Sequence, residues 1–210
     1  MTLELESILA LTCAAPAIAG LLRISKTEPA YSVLVYIFFA ALAVEVIDIL
    51  QRYKILHDSD TLINIYTAAN TLMHIYFFRR MGVLVNKKII ASIITAFALV
   101  YFFSILYCSN SCAIIAAIAS YIIILGLSIE GVIQYTLSNI TSWLKETVSL
   151  FCLINILYAA HFIFLFSFRL ISLSSDIALK DAVENIHSYL NAACNLLFTW
   201  PILCIPCRKN

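Results

Sequence analysis

The stretch TLINIYTAANTLMHIYFFRR, residues 61–80, is long enough and apolar enough to cross a lipid bilayer as one helix. Its polar residues recur at i, i+3, i+7 and i+10, on one side of that helix: Asn64, Thr67, Thr71 and His74. The stretch ends in a double arginine, Arg79 and Arg80. The pattern predicts a membrane-spanning helix with one polar face and one basic end.

The composition of the whole chain supports the same interpretation. Of its 210 residues, 63% are hydrophobic and 12% are charged, and the mean hydropathy is +0.98. Soluble domains contain about 45–50% apolar and about 25% charged residues, and a soluble fold of this size could not bury so much apolar surface. We therefore expect an integral membrane protein with the lipid bilayer as its surroundings. The net charge of +1 gives no basis for nucleic acid as a partner.

A helix of about 20 apolar residues crosses about 30 Å of hydrocarbon. Seven windows meet this test, at least approximately: 7–22, 31–50, 61–78, 89–107, 112–133, 147–168 and 187–206. The sequence predicts an all-α fold, a single seven-helix transmembrane domain over residues 1–210. Glu4 and Glu6 precede the first window and no Lys or Arg occurs before Arg23, so we expect a retained helix and not a signal peptide.

The orientation follows from the Lys and Arg residues in the connections. One side receives nine of them: Arg23, Lys26, Arg79, Arg80, Lys87, Lys88, Lys145, Arg208 and Lys209. The other side receives four: Arg52, Lys54, Arg169 and Lys180. The basic side belongs in the cytoplasm, so we expect the N-terminus outside and the C-terminus cytoplasmic, in a bacterial inner membrane.

The last outer connection and the last span carry further signals. Ser174 or Ser175 is a candidate cap for a helix that starts at Asp176 and continues into the seventh span. Near the other end, Trp200 followed by Pro201 predicts a kink, because proline removes one backbone donor.

Ionisable side chains within the spans are the first candidates for function, because each costs about 2.5–3.5 kcal/mol to insert. When residues are counted along each helix, Glu45 lies in the outer half of the membrane. The side chains of Asn70, His161, Asn191 and Asn195 lie at a similar depth. Spans two, three, six and seven thus turn polar groups toward one level. We expect a ligand-binding pocket there, lined by Glu45, Asp48, Asn64, Asn70, Tyr158, His161, His187, Asn191 and Asn195.

Three other interpretations of these residues stay open. Asn, Thr and His residues also join helices by hydrogen bonds, at about 0.6 kcal/mol or more each. A proton relay is a second alternative, through Glu45, His74, His161 and Glu130. A zinc site on Glu45, His161 and His187 is the third, although the four histidines never occur as HxxxH or HExxH. We expect no metal, no cofactor and no catalytic residues.

The seven cysteines include two close pairs. Cys108 and Cys112 flank an outer turn, where a disulfide would form if that side is oxidising. Cys204 and Cys207 form a CxxC motif at the cytoplasmic end, which supplies only two of the four ligands of a structural zinc site. Incidental cysteines are the favoured interpretation of both pairs.

The chain resembles bacterial seven-helix membrane proteins that have no established activity. The resemblance lies in a second-helix carboxylate within VEVIDIL, the third-helix segment NIYTAANTLMHIY, the closing segment IHSYLNAACNLLF and a sixth-helix tyrosine like Tyr158. It implies a sensor subunit for a separate signalling partner. The retinal pigments, by contrast, need a lysine within the seventh span, and this span has none.

The first function hypothesis is therefore a receptor-like sensor. It would bind a small polar or cationic ligand in an outward-facing pocket and signal through a cytoplasmic protein. A small-solute or proton-coupled transporter and an intramembrane metal-dependent enzyme are the alternatives.

Overall fold

A computed structural model describes residues 3–27, 29–55, 60–84, 86–107, 110–137, 142–171 and 177–205. Within these ranges the chain is helical and contains no β-strand element. The helices are α1 (Leu3–Ala10), α2 (Ala14–Arg23), α3 (Pro29–Arg52), α4 (Asp60–Arg80), α5 (Lys87–Tyr107), α6 (Asn110–Leu137), α7 (Ser142–Ile171) and α8 (Ile177–Leu203). Two short 3-10 turns, Leu11–Cys13 and Ile24–Lys26, follow α1 and α2.

The all-α prediction is confirmed, with local differences. The first predicted span lies within one helical segment, Glu4–Lys26, in which the 3-10 turn Leu11–Cys13 separates α1 from α2. Helix α6 begins at Asn110, inside the predicted polar turn, and Asn is favoured at helix starts. Helix α8 continues without a break into the seventh span and past Pro201 to Leu203. The proposed cap at Ser174 or Ser175 and the start at Asp176 lie outside the described residues.

Four segments of the described chain are long and apolar enough to cross a membrane, which is consistent with a membrane protein. They are Glu4–Lys26, Tyr31–Arg52, Ala113–Leu137 and Thr147–Ile171, with mean hydropathies of 1.8, 2.5, 2.2 and 2.1. Helix α5 contributes a shorter apolar part, Lys88–Phe103. Helices α4 and α8 have 21 and 27 residues but are not among the four. Their buried Asn and His side chains lower their hydropathy.

Six helical segments form a closed ring. The α1–α2 segment packs against α3, α3 against α4, α4 against α6, α6 against α7, and α7 against α8, which returns to α1 and α2. Helix α5 lies outside this ring and packs mainly on α6. Large apolar side chains on the outer faces are exposed, as in Tyr36, Leu157 and Leu196. This distribution is typical of helices that face lipid, because only the inner face needs protein contacts.

At one end of the ring the interior is filled by aromatic side chains. The ring centroids of Phe77 and Phe151 are 5.3 Å apart, those of Phe151 and Phe198 are 5.5 Å apart, and those of Phe38 and Phe198 are 5.1 Å apart. The Tyr31 ring meets Phe77 edge to face. These five residues, here called the aromatic layer, join α3, α4, α7 and α8 at the end where α3 begins and α4 ends.

Candidate functional site

Glu45 lies on α3 about two helical turns beyond Phe38 of the aromatic layer, toward the other end of the ring. Its side chain is half-buried, and the side-chain amide of Asn191 on α8 lies within reach of its carboxylate. The thiol of Cys13, in the turn between α1 and α2, is within electrostatic range of the same carboxylate. Three segments of the ring therefore meet at Glu45.

Three tyrosines from three further helices lie near this carboxylate. Tyr66 on α4, Tyr121 on α6 and Tyr158 on α7 are all within electrostatic range of Glu45. The hydroxyl groups of Tyr121 and Tyr158 interact, and their ring centroids are 6.0 Å apart. We call Glu45, Tyr66, Tyr121, Tyr158 and Asn191 the carboxylate–tyrosine cluster. It draws one side chain from each of five helices.

The cluster carries negative charge without a dedicated cation. Arg52 also attracts Glu45, but its guanidinium is ion-paired elsewhere. It lies 2.6 Å from a carboxylate oxygen of Asp48 and 3.0 Å from one of Glu6. Among the described residues Glu45 itself forms no ion pair. A carboxylate in such a place binds a proton or a cation, because an uncompensated buried charge is costly.

A second polar layer lies between the cluster and the aromatic layer. The Nδ1–H of His74 donates to the backbone carbonyl of Asn70 at 2.9 Å, and the side chain of Asn155 lies beside His74. The three residues are buried. The side-chain oxygen of Asn70 and the side-chain nitrogen of Asn155 have no protein partner. The layer therefore has two polar atoms with unused hydrogen-bonding capacity, between Glu45 and the aromatic layer.

The two other predicted histidines lie together next to the cluster, where the His161 ring meets the Tyr158 ring edge to face at 5.5 Å. His161 on α7 and His187 on α8 have ring centroids 5.2 Å apart and line a pocket between their helices. No three His, Cys, Asp or Glu side chains converge as metal ligands in the part of the chain that the structure describes. The zinc alternative on Glu45, His161 and His187 is thus not formed, because Glu45 turns toward Asn191 and the tyrosines.

Glu130 does not approach His74. It accepts a hydrogen bond of 2.7 Å from the Gln134 amide, in a cleft of about 570 Å³ between α5 and α6. The Gln134 amide also donates to the backbone carbonyl of Val83. No hydrogen bond among the described residues joins the four residues of the relay alternative, Glu45, His74, His161 and Glu130.

The remaining predicted site residues make contacts that join helices. The Asn195 amide donates to the Thr12 hydroxyl at 3.3 Å and so links α8 to the turn between α1 and α2. The hydroxyl of Tyr101 donates to the backbone carbonyl of Asn64, which links α5 to α4. The Asn195 contact fits the interpretation of the amides as links between helices, whereas the Asn64 contact uses the backbone carbonyl.

Tyr66, Tyr121 and Cys13 were missed by sequence reasoning. A signal for Tyr66 exists, because it precedes Asn70 by four residues and His74 by eight, on one helical face. No such signal marks Tyr121, since tyrosines in membrane helices ordinarily read as apolar or interfacial. Of the paired cysteines, Cys204 is free. The side chains of Cys108, Cys112 and Cys207 lie outside the described residues.

Comparison of the chain with known protein families, with curated proteins and with solved structures found no match. The candidate site therefore rests on its own geometry.

We expect the Arg52–Glu6 ion pair to limit the access of solutes to Glu45, and this effect can be measured at Cys13. It links α3 to α1 at the end of the ring opposite the aromatic layer, and Cys13, which is 1% exposed, lies on the same side, near Glu45. A partly exposed ion pair contributes up to about 1 kcal/mol, which corresponds to about fivefold in an opening equilibrium. In a variant that keeps Cys13 as its only cysteine, Glu6→Gln should raise the rate of Cys13 modification by a cationic methanethiosulfonate about fivefold.

Three further variants test this contact. Arg52→Gln should have at least the effect of Glu6→Gln, because it also removes the pair with Asp48, and Glu6→Gln should add nothing in the Arg52→Gln background, where the contact is already absent. Arg169→Gln breaks the other interhelical ion pair, Arg169–Glu184, and should leave the Cys13 rate unchanged. An unchanged rate in Glu6→Gln would show that the pair does not control access.

Proposed function

We propose that the chain is a receptor-like membrane sensor that binds a small organic cation at the carboxylate–tyrosine cluster. The observation that carries this proposal is the half-buried Glu45 carboxylate, with no ion pair among the described residues and three tyrosines near it. In the proposed topology, seven spans cross the inner membrane with the N-terminus outside. The cluster then lies in the outer half.

The chemistry of the cluster favours an ammonium group over a neutral solute. A carboxylate supplies the charge, and tyrosine ring faces attract cations by about 0.5–2 kcal/mol each according to how far the cation is desolvated. The Asn191 amide, within reach of Glu45, adds a hydrogen-bonding group from α8. Aromatic rings around one carboxylate are a typical arrangement for quaternary ammonium recognition.

Binding at the cluster would reach the cytoplasmic face through the helices themselves. Helix α8 carries Asn191 in the cluster and Phe198 in the aromatic layer, and it ends next to Cys204. Helix α4 carries Tyr66 at one end and Arg79 at the other, where Arg79 is exposed. A ligand that binds two arrangements of these helices with different affinity shifts their populations. A separate cytoplasmic protein would read the basic end.

The aromatic layer favours a sensor over a carrier. Its rings fill the interior between the cluster and the opposite end of the ring of helices. A transported cation would have to part these contacts, whereas a sensed one would only have to shift them.

The test uses choline and its neutral isostere 3,3-dimethylbutan-1-ol on the purified full chain in lipid nanodiscs. We expect choline to raise the thermal unfolding midpoint in a saturable way and the isostere to have no effect. Choline should also change the rate at which a thiol reagent modifies Cys204, in a variant that keeps Cys204 as its only cysteine. Proteoliposomes that contain the protein should show no choline uptake.

Each outcome decides one part of the proposal. Equal effects of choline and the isostere, or no effect of either, would overturn the cationic site. Choline uptake above that of empty liposomes would replace the sensor by a transporter. Binding without any change at Cys204 would remove the coupling between the cluster and the cytoplasmic end.

A further inference from the structure

A pocket of about 110 Å³ lies between α7 and α8, outside the carboxylate–tyrosine cluster. Its walls are apolar except for two histidines, His161 and His187. Phe164 is 62% exposed, Ile186 is 59% exposed and Leu190 is 45% exposed, all of them around the pocket. Helix α7 is one of the segments able to cross a membrane. The pocket thus borders a surface suited to lipid.

Each histidine has one buried ring nitrogen that forms no hydrogen bond within the described residues. These atoms are Nε2 of His161 and Nδ1 of His187. The Nδ1–H of His161 donates to the backbone carbonyl of Leu157 at 3.1 Å, so in the neutral imidazole Nε2 carries a lone pair and accepts. Buried polar atoms are usually hydrogen-bonded, and two orphans in adjacent rings require an explanation.

A single hydroxyl group satisfies both atoms. A hydroxyl donates one hydrogen bond and accepts others, so it donates to Nε2 of His161 and accepts from His187 when Nδ1 carries the proton. The two rings are neighbours, with centroids 5.2 Å apart, and both line the pocket, so a hydroxyl that enters the pocket meets both of them. The rest of the pocket offers only apolar contacts.

The charges near the pocket select against a metal ion or an organic cation. Arg169 and Arg52 both act electrostatically on His187, and Arg169 is held nearby by a bidentate pair with Glu184. Both guanidinium groups disfavour a cation beside His187. A neutral hydroxyl, more acidic in a phenol than in an alkyl alcohol, suits this position better than a cation does.

We propose that this pocket binds the hydroxyl-bearing end of a lipophilic phenol dissolved in the membrane, with the hydroxyl held between His161 and His187. An engineered apolar cavity of about 150 Å³ admits benzene, so the size of this pocket suits part of a ring that projects toward lipid. The described residues that line this pocket belong to α7 and α8, and His161 also meets the Tyr158 ring of the cation site edge to face at 5.5 Å.

The test is photolabelling of the full chain in nanodiscs by an alkylphenol that carries a diazirine on its alkyl chain. Labelled peptides are mapped by mass spectrometry, and 4-hexylphenol, 4-hexylanisole and decan-1-ol serve as competitors. We expect labels on α7 and α8 next to the pocket. We also expect 4-hexylphenol to compete at least tenfold better than the methyl ether, which lacks the donor. A weaker effect of decan-1-ol separates a phenol from an alkyl alcohol.

Two variants test the pocket, one at a histidine and one at an apolar residue of its wall. His161→Phe removes the accepting nitrogen but keeps a ring and should weaken competition by 4-hexylphenol at least tenfold. Val183→Phe fills the pocket without changing either histidine and should abolish the α7–α8 label. Tyr189→Phe, an exposed position of α8 outside the pocket, is the matched control and should change nothing.

Two results would overturn the proposal: equal competition by the phenol and its methyl ether, or labelling that Val183→Phe leaves intact. The phenol–ether comparison uses the unmodified chain, so it decides the question even if a variant fails to fold. If decan-1-ol competes as well as 4-hexylphenol, the phenol is replaced by an alkyl alcohol as the ligand class.

Discussion

Glu45→Gln should weaken choline binding by about a hundredfold. At an effective dielectric constant of about 20, two unit charges about 5 Å apart attract by about 3 kcal/mol, and 1.4 kcal/mol corresponds to tenfold in affinity. Glutamine keeps the shape and can form a hydrogen bond to Asn191, so the variant removes charge with little change in packing. The measurement is the choline dependence of the unfolding midpoint in nanodiscs.

Asp48→Asn is the matched control for Glu45→Gln. Asp48 lies about one turn further out on the same helix, and its carboxylate is already paired with Arg52 at 2.6 Å. Removing this charge should change choline affinity less than fivefold. An equal loss in both variants would show that choline responds to the general negative potential of this end and not to a site at Glu45.

Substitutions at Tyr158 should separate the contribution of the aromatic ring to choline affinity from that of the hydroxyl. Tyr158→Phe keeps the aromatic face and should reduce choline affinity only slightly, whereas Tyr158→Leu should reduce it about tenfold through the lost cation–π contact. A loss in Tyr158→Phe as large as that in Tyr158→Leu would assign the effect to the hydroxyl that interacts with that of Tyr121.

The helices were predictable from sequence because hydropathy sums over about 20 neighbouring residues and needs no knowledge of tertiary contacts. Glu45, Asn70 and Asn191 were found for a related reason: a polar group inside an apolar run stands out locally. The division of the first span at Leu11–Cys13 was not visible, because no Gly or Pro marks it and Pro16 lies beyond it.

The cluster was harder to predict because its members come from different helices. Helical spacing shows which residues share a face but not which faces meet. The predicted pocket used α3, α4, α7 and α8, whereas the structure adds Tyr121 from α6 and places α5 outside the ring. The sequence placed His161 and His187 beside Glu45 because residues were counted along each helix to give their depth in the membrane. Depth along a helix does not distinguish the interior from the seam between α7 and α8.

Gly131→Ala should destabilise the fold by about 1–3 kcal/mol, because α4, α6 and α7 approach most closely there. A Cβ at Gly131 would lie 2.7 Å from the Cys152 sulfur and 3.1 Å from a ring carbon of Phe78. Both neighbours are fully buried and packed against the aromatic layer, so neither moves freely. Inserting one methyl group into a well-packed core typically carries this cost. The measurement is the free energy of unfolding of the purified chain.

The same helix provides the matched control for Gly131→Ala. A Cβ at Gly126 would meet no atom within 4 Å, because that face of α6 opens into the cleft toward α5. Since alanine favours a helix over glycine by about 0.5–1 kcal/mol, Gly126→Ala should stabilise the chain slightly. The two identical substitutions, five residues apart, should therefore have opposite signs.

A second substitution, Cys152→Ala, tests whether contact with the Cys152 sulfur causes the cost of Gly131→Ala. Cys152→Ala removes the sulfur that a Cβ at Gly131 would meet, so Gly131→Ala should cost less in that background than in the unmodified chain. Such coupling is expected only between residues in contact, since distant substitutions add. Equal costs of Gly131→Ala in both backgrounds would mean that α6 and α7 do not pack sulfur against glycine at this point. The approach of α6 to α7, which positions Tyr121 beside Tyr158, would then need another origin.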